Sequence, residues 1–380
     1  MPGSMLNEAL ISAAMLRLGL NQANLADICS VSREAVSKWI SGESIPRPAN
    51  LRLLAQTLQT TVDQLVIRRE EKQPVIAYRT RFREQVTGKA KARALEVGRH
   101  LRQLLPYIGG NRLFTPRVLE NPSLDESYIR AAVEDIRLSL KLAATDSPSR
   151  AQLIDLLHEV GSIIVPVIWG QEKVGHENAL SVYLPEVQKS WVVLNLAANQ
   201  DDFKYWLAHE LGHCLTLHKL RDQDGEDFAE RFAQLLVFPD ALAEQCLHAI
   251  RTSSDPLREA LYFASRHEVS VVTVVKSADR LAVTRGEAAT GIASEGFYEE
   301  WQKSRPNHPT VVMDLFGTDS PTAEEFISKT RDVFRTLVFS AIAKMQQAQG
   351  GRSPAFIASA FNIDLAQAVA LSVAVDSDRV

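Results

Sequence analysis

The chain of 380 residues has only three cysteines, Cys29, Cys214 and Cys246. So few, and so scattered, they cannot form a disulfide framework, which excludes a stapled extracellular scaffold. Long hydrophobic runs are missing too. The stretch from Ile163 to Trp169 falls far short of the ~18 apolar residues of a membrane span and suits a buried strand. No basic-then-apolar segment opens the sequence as a secretory signal would. A net charge of −4 gives the whole chain no pull on anionic partners. The expectation is a cytoplasmic protein with no membrane partner. Hydrophobic content of 46% and charged content of 23% are ordinary for a globular chain, long enough here for two or three domains.

Charge is uneven along the sequence. Residues 68 to 102 carry eleven basic side chains against four acidic ones, Glu70, Glu71, Glu84 and Glu96. Such a stretch either tracks phosphates or forms a solvated helix face. Residues 68 to 124 are read as a basic, mostly helical linker.

Residues 5 to 67 read as five short helices, an all-α domain. Asn21 can cap one that runs through Leu25 and Ile28, and Ser32 can cap the next. The latter turns Val36, Trp39 and Ile40 inward and shows Arg33, Glu34, Ser37, Lys38 and Ser41 outward, with Gly42 placed to end it. Leu51, Leu54 and Leu58 make a further stripe, and Thr61 to Gln64 a capping box. Two short helices across a tight turn, the second polar on its outer face, fit a helix-turn-helix. The run from Asn21 to Gly42, followed by Ile45-Pro46-Arg47-Pro48, resembles the XRE-type helix-turn-helix of Cro-like repressors. The resemblance implies binding to operator sites on double-stranded DNA as a homodimer. It places Gln22 against backbone phosphate, and Arg33, Ser37 and Lys38 on the recognition helix. Seven basic residues against six acidic in residues 1 to 70 make this a weakly charged DNA binder.

The middle of the chain changes character. Residues 125 to 145 and 151 to 160 have helical periodicity. Three β-type segments follow, Ser162 to Trp169, Ala179 to Leu184 and Trp191 to Leu196, read as a small antiparallel sheet. Helix resumes near Asp202 and carries His209-Glu210-Leu211-Gly212-His213. Imidazoles four apart on a helix point the same way and can share one zinc ion. Glu210 can then take a proton from a metal-activated water. A third ligand is needed. His218 lies too near, and Thr216 and Lys219 stand where a metzincin needs glycine and histidine. The helical segment from Glu226 to Pro239 offers Glu226 and Glu230 one turn apart. One of these can bind zinc while the other fixes a ligand histidine's tautomer.

The order His-Glu-Leu-Gly-His, a short polar loop, then Glu-x-x-Ala-x-x-Phe-Ala-x-x-Leu-Leu-x-x-Pro resembles the ImmA/IrrE family of zinc metallopeptidases, over about 127 to 239 and more weakly to 285. The resemblance implies a zincin-like α+β domain over 125 to 285. His209, His213 and Glu226 would bind Zn2+, Glu210 would be the catalytic base, and Glu230 would support the ligands. The family carries Asn or Asp where this chain has Glu230. The substrate implied is a protein or peptide: a transcriptional repressor, an antitoxin-like protein or the chain itself, cut in a stress response. Ala179 to Leu184 is a candidate for pairing with an extended substrate. Tyr205, His218, Tyr262 and His267 are candidates for oxyanion stabilisation. Cys214, beside a ligand, is read as core packing.

Beyond 260, Leu261, Phe263 and Val269 to Val275 read as buried, 285 to 322 as a loop-rich connector, and 323 to 349 as one long helix ended by Gly350-Gly351. Two shorter helices follow, 354 to 361 and 365 to 371. Residues 286 to 380 thus form a mainly α region of no assigned role. The fold class expected is multidomain: helix-turn-helix, α+β metallopeptidase, helical C-terminus. The leading function is a DNA-binding regulator carrying a zinc endopeptidase. The alternative is a regulator or antitoxin that uses the same fold as a sensor or dimerisation module.

Overall fold

A computed structural model describes residues 4–6, 8–40, 44–68, 74–77, 88–108, 118–169, 179–185, 187–348 and 353–377. Contacts divide the chain into two compact units, Met1–Lys72 and Gln73–Val380.

The first unit holds helices α1 (Glu8–Leu18), α2 (Gln22–Cys29), α3 (Arg33–Ile40), α4 (Pro48–Thr57) and α5 (Val62–Leu65). Local chemistry sets their ends. The Asn21 side chain accepts from the Ala23 and Asn24 amides and completes a capping box with Asn24. Ser30 takes the left-handed conformation that ends α2, and the Ser32 hydroxyl accepts from the Ala35 amide to start α3. Thr61 and Gln64 form the expected capping box. Leu25, Val36, Trp39, Leu51, Leu54, Leu58 and Leu65 are buried together. The sequence missed one feature. Strands β1 (Ser4–Leu6) and β2 (Val66–Arg68) pair antiparallel and tie the two ends of the unit together. Gly42, expected to end α3, lies outside the described residues.

The second unit is built around a four-stranded sheet: β3 (Val75–Ala77), β4 (Ile163–Val167), β5 (Ala179–Leu184) and β6 (Lys189–Asn195), in the order β3-β5-β6-β4. The sheet is mixed and not antiparallel as expected, because β4 runs parallel to β6. That pairing follows from β5, which lies between β4 and β6 in sequence but on the far side of β6 in space. Pro166 has no N–H, and it sits on the edge strand β4, where none is needed. That edge is covered, since the Thr336 hydroxyl donates to the Ile164 carbonyl. β4, β5 and β6 are buried along their whole length.

Helices clothe both faces. On β5, Ser181 reaches Glu210 of α9 (Gln200–Thr216). The neighbouring Val182 packs under Gly98 of α6 (Gly88–Leu104). Adjacent strand residues point to opposite faces, so α9 and α6 cover opposite sides of the sheet. The basic segment is therefore more than a tether: Ala94, Val97, Leu101 and Leu104 of α6 join the main core. α7 (Glu126–Ser139) and α10 (Asp222–Val237) pack together, as do α8 (Arg150–Glu159) and α9. α11 (Asp240–Thr252), α12 (Pro256–His267) and α13 (Val271–Thr284) form a group that buries Phe263 and the Val269 to Val275 run. Leu261, expected inside, is 47% exposed on the outer side of α12.

The C-terminal third departs further from expectation. The connector contains α14 (Glu295–Ser304), a 3-10 turn and α15 (Val311–Phe316). The expected long helix is two, α16 (Ala323–Phe334) and α17 (Val338–Gln347), broken where Arg335 turns left-handed at φ 47°. The break lets Thr336 reach the sheet edge. α18 (Pro354–Phe361) and α19 (Leu365–Ser377) close the chain and share the same core. No single helix among the described residues is long and apolar enough to cross a membrane.

α9 buries nearly every residue from Phe203 onward, including Lys204 at 3% exposure. Burial lowers the Lys204 ammonium pKa to about 8, against a rise from Glu268 and with a further push down from Arg150. A lysine depressed in the folded state costs stability below that value, and the cost fades as pH rises towards the unfolded value. Lys204→Met should therefore stabilise the chain by about 3 kcal/mol at pH 7. The gain should shrink steadily between pH 8 and pH 10.5, as followed by urea unfolding. Equal stability of the two proteins at pH 7 would contradict this.

Candidate metal centre

The centre forms where α9 and α10 cross. His209 and His213 lie one turn apart on α9, and Glu226 projects from the first half of α10. What lets the helices meet is the absence of side chains at the crossing. A Cβ on Gly212 would stand 3.0 Å from the Ala229 Cα and 3.3 Å from its Cβ. Nothing larger than glycine fits against that backbone. Phe228 and Phe232 anchor the same turn of α10 in the core, both 0% exposed.

The crossing brings three donor atoms into a triangle. His213 Nε2 lies 3.1 Å from His209 Nε2. Glu226 places Oε2 3.4 Å from His209 Nε2 and Oε1 3.2 Å from His213 Nε2. Burial alone would push the Glu226 carboxyl up. The His213 and His209 imidazoles, by charge and hydrogen bonding, overcome that and hold it well below the usual carboxylate range. The group is ionised.

Protonated, each Nε2–H can donate to its own oxygen of the carboxylate. Deprotonated, the two Nε2 atoms and the carboxylate turn their lone pairs toward one point, where a divalent cation would satisfy all of them. Tetrahedral zinc, with bonds of 2.0–2.1 Å, sets its ligand atoms about 3.3 Å apart, close to the three distances here. Two imidazoles and a carboxylate are also a donor set that zinc accepts, leaving a fourth position open. The residues present fit the ion.

Glu210 follows His209 on α9 and is 2% exposed, and its carboxylate accepts from the Ser181 hydroxyl on β5. Ser181 is itself fully buried. The sequence reading overlooked it. The signal was a lone hydroxyl in the apolar segment Ala179 to Leu184. Glu226 is 20% exposed at its side chain, against 1% and 2% for the histidines, so the centre opens on the Glu226 side.

The other candidates scatter. Tyr205, one turn before His209, lies nearly parallel to its ring, with centroids 6.3 Å apart. Its hydroxyl donates to the Glu230 backbone carbonyl, so the described link to Glu230 runs through its main chain. Tyr262 and His267 stand on α12. There Tyr262 bonds Arg266, and His267 packs on Phe238 and Phe263. His218 is depressed by burial and by Lys219, against a hydrogen bond to the Leu119 backbone that raises it. Burial, with the charge of Glu210, pushes the Cys214 thiol up to about 12, as befits a core side chain. The expected substrate strand needs correction: β5 has neighbours on both edges, β3 and β6.

In the first unit Arg33, Ser37 and Lys38 are all exposed on α3, and Gln22 is half-buried at the start of α2. Lys38 also pairs with Glu34 at 2.7 Å. Residues 11–65 match the helix-turn-helix family. That segment is a helix-turn-helix, a module that binds DNA in transcription regulators. No curated protein and no solved structure matches the chain.

Gly212→Leu tests the crossing. The new side chain meets backbone, which has nowhere to move, and overpacking of this kind costs about 1–3 kcal/mol. The variant should fold with a lowered melting temperature and should retain far less zinc than wild type after dialysis. Wild-type zinc content in the variant would show that the close approach does not form the triangle.

Proposed function

We propose that this chain is a DNA-binding transcription regulator whose second unit is a zinc-dependent endopeptidase of the ImmA/IrrE type. The observation that carries this reading is the His209–His213–Glu226 triangle, with Glu210 next to His209 on the same helix. Bound zinc supplies Lewis acidity to a peptide carbonyl and to the attacking water. Glu210 accepts that water's proton and passes it to the leaving amine. Ser181 holds the Glu210 carboxylate through its hydroxyl and so fixes which oxygen faces the open position. Tyr205 buttresses His209, and Glu230 closes the same turn of α10.

The helix-turn-helix gives the hydrolytic site its purpose. A hydrolase joined to an operator-binding module acts on regulators, so the substrate is a repressor, an antitoxin-like protein or this chain, cut in response to stress inside the cytoplasm. Arg33, Ser37 and Lys38 read base edges from α3, and Gln22 holds phosphate. A homodimer places two such helices on paired half-sites.

Glu210→Gln should keep zinc and DNA affinity and lose about 10²–10⁴-fold in peptide hydrolysis. His209→Ala should lose the zinc itself, read by elemental analysis. A regulatory output unchanged in Glu210→Gln would refute the enzymatic part. Arg33→Ala should weaken operator binding by about 1–3 kcal/mol while sparing nonspecific DNA. Equal loss on both DNAs would move Arg33 from base reading to phosphate contact.

A further inference from the structure

The sheet edge at the centre is occupied by a segment of the chain that belongs to neither hairpin nor crossover. β3 is three residues long, and it is the first described strand after the N-terminal unit. It pairs antiparallel with β5 in a register that sets Val75 against Tyr183, Ile76 against Val182 and Ala77 against Ser181. Ser181 is the residue that holds Glu210. β3 also contacts α10, which carries Glu226. It therefore touches both elements, β5 and α10, that carry residues of the site.

An extended peptide recognised by a sheet adds as a strand, using main-chain hydrogen bonds for affinity. The edge of β5 beside Ser181 is the place where such a peptide would come under Glu210 and the metal ligands. β3 holds that place. Its residue opposite Ser181 is alanine, which puts only a methyl group there. The seat is shaped for this strand: a Cβ on Gly98 would stand 2.9 Å from Pro74 and 2.9 Å from Val182. α6 thus closes over Pro74 and β5 together. Val75 and Ile76 are half-buried and Ala77 is buried, so β3 is held by three residues and one strand pairing, which a longer competing strand could replace.

We propose that the β5 edge beside Ser181 is the peptide-binding cleft of this site and that β3 is its resident occupant. The protein keeps a short strand of its own second unit where a substrate strand would lie. Peptide access then requires β3 to leave. The inference rests on the peptidase reading for what the cleft does, and on the strand register for what fills it.

The test uses the full chain in the Glu210→Gln background. The probe is a fluorescent peptide carrying the Pro74–Ala77 sequence between neutral flanks. Ile76→Pro removes a main-chain donor and should release β3. Val75→Cys with Tyr183→Cys locks it, since directly opposed antiparallel residues lie within disulfide reach. The released variant should bind the peptide at least about tenfold more tightly, as expected when a competing closed state is removed. The oxidised lock should abolish binding, and reductant should restore it. The inference is overturned if the locked chain binds the peptide as well as the reduced chain does. It is equally overturned if Ile76→Pro frees the β5 amides to hydrogen exchange without tightening peptide binding. Should Ile76→Pro fail to fold, the lock decides alone. The two readings separate in the Glu210 background. If the released variant binds the peptide but hydrolyses none with zinc present, the peptidase reading fails while the cleft assignment stands.

Discussion

α9 and α10 touch backbone to backbone at Gly212 and Ala229, and the metal centre depends on that contact. A Cβ at Gly212 would hold the helices apart. His209 and His213 would then still share a face, but Glu226 would no longer reach them. The arrangement sets a carboxylate that is 20% exposed against two buried imidazoles. Core packing holds them in place regardless. Phe228 and Phe232 fix the turn of α10 next to Glu226, and the apolar surroundings of α9 leave the histidines no alternative orientation. The three donor atoms are thus held by packing alone, as the proposed metal site would require.

The sheet extends this constraint to the chemistry. Ser181 faces α9 while Val182, the next residue, faces α6. One strand thereby orients the Glu210 carboxylate on one side and seats the helix of the basic segment on the other. β3 is gripped between them. The parallel pairing of β4 with β6, and the helical break at Arg335 that lets Thr336 cover the β4 edge, leave β5 and β3 at the end of the sheet nearest the metal ligands. β3, the first described strand of the second unit, is thus paired with the strand that carries Ser181.

The helix-turn-helix was legible from local signals, because Asn21, Ser32 and Thr61 cap helices through bonds within three residues of themselves. The grouping of His209, His213 and Glu226 was legible for a similar reason: the His209–His213 spacing and the Glu226-x-x-Ala229 pattern are written in helical periods. Four features were hidden. β1 pairs with β2 across the whole first unit, and β3 is too short to show alternation. The parallel sheet order is set by contacts far apart in sequence. The break between α16 and α17 carries no glycine or proline at the left-handed position, which Arg335 occupies, so periodicity ran straight through it. Ser181 was visible as a lone polar residue among Ala179, Leu180, Val182 and Tyr183. Only the distance to Glu210 gave it a role.

X-ray absorption at the zinc edge of the metal-loaded full chain tests the central claim most directly. The account predicts one zinc per chain with only nitrogen and oxygen neighbours at about 2.0–2.2 Å and the outer-shell signature of two imidazoles. A sulfur neighbour at about 2.3 Å would place the ion at a cysteine and contradict the assignment. So would an imidazole signal that survives His209→Ala, or a purified chain that takes up no zinc at all.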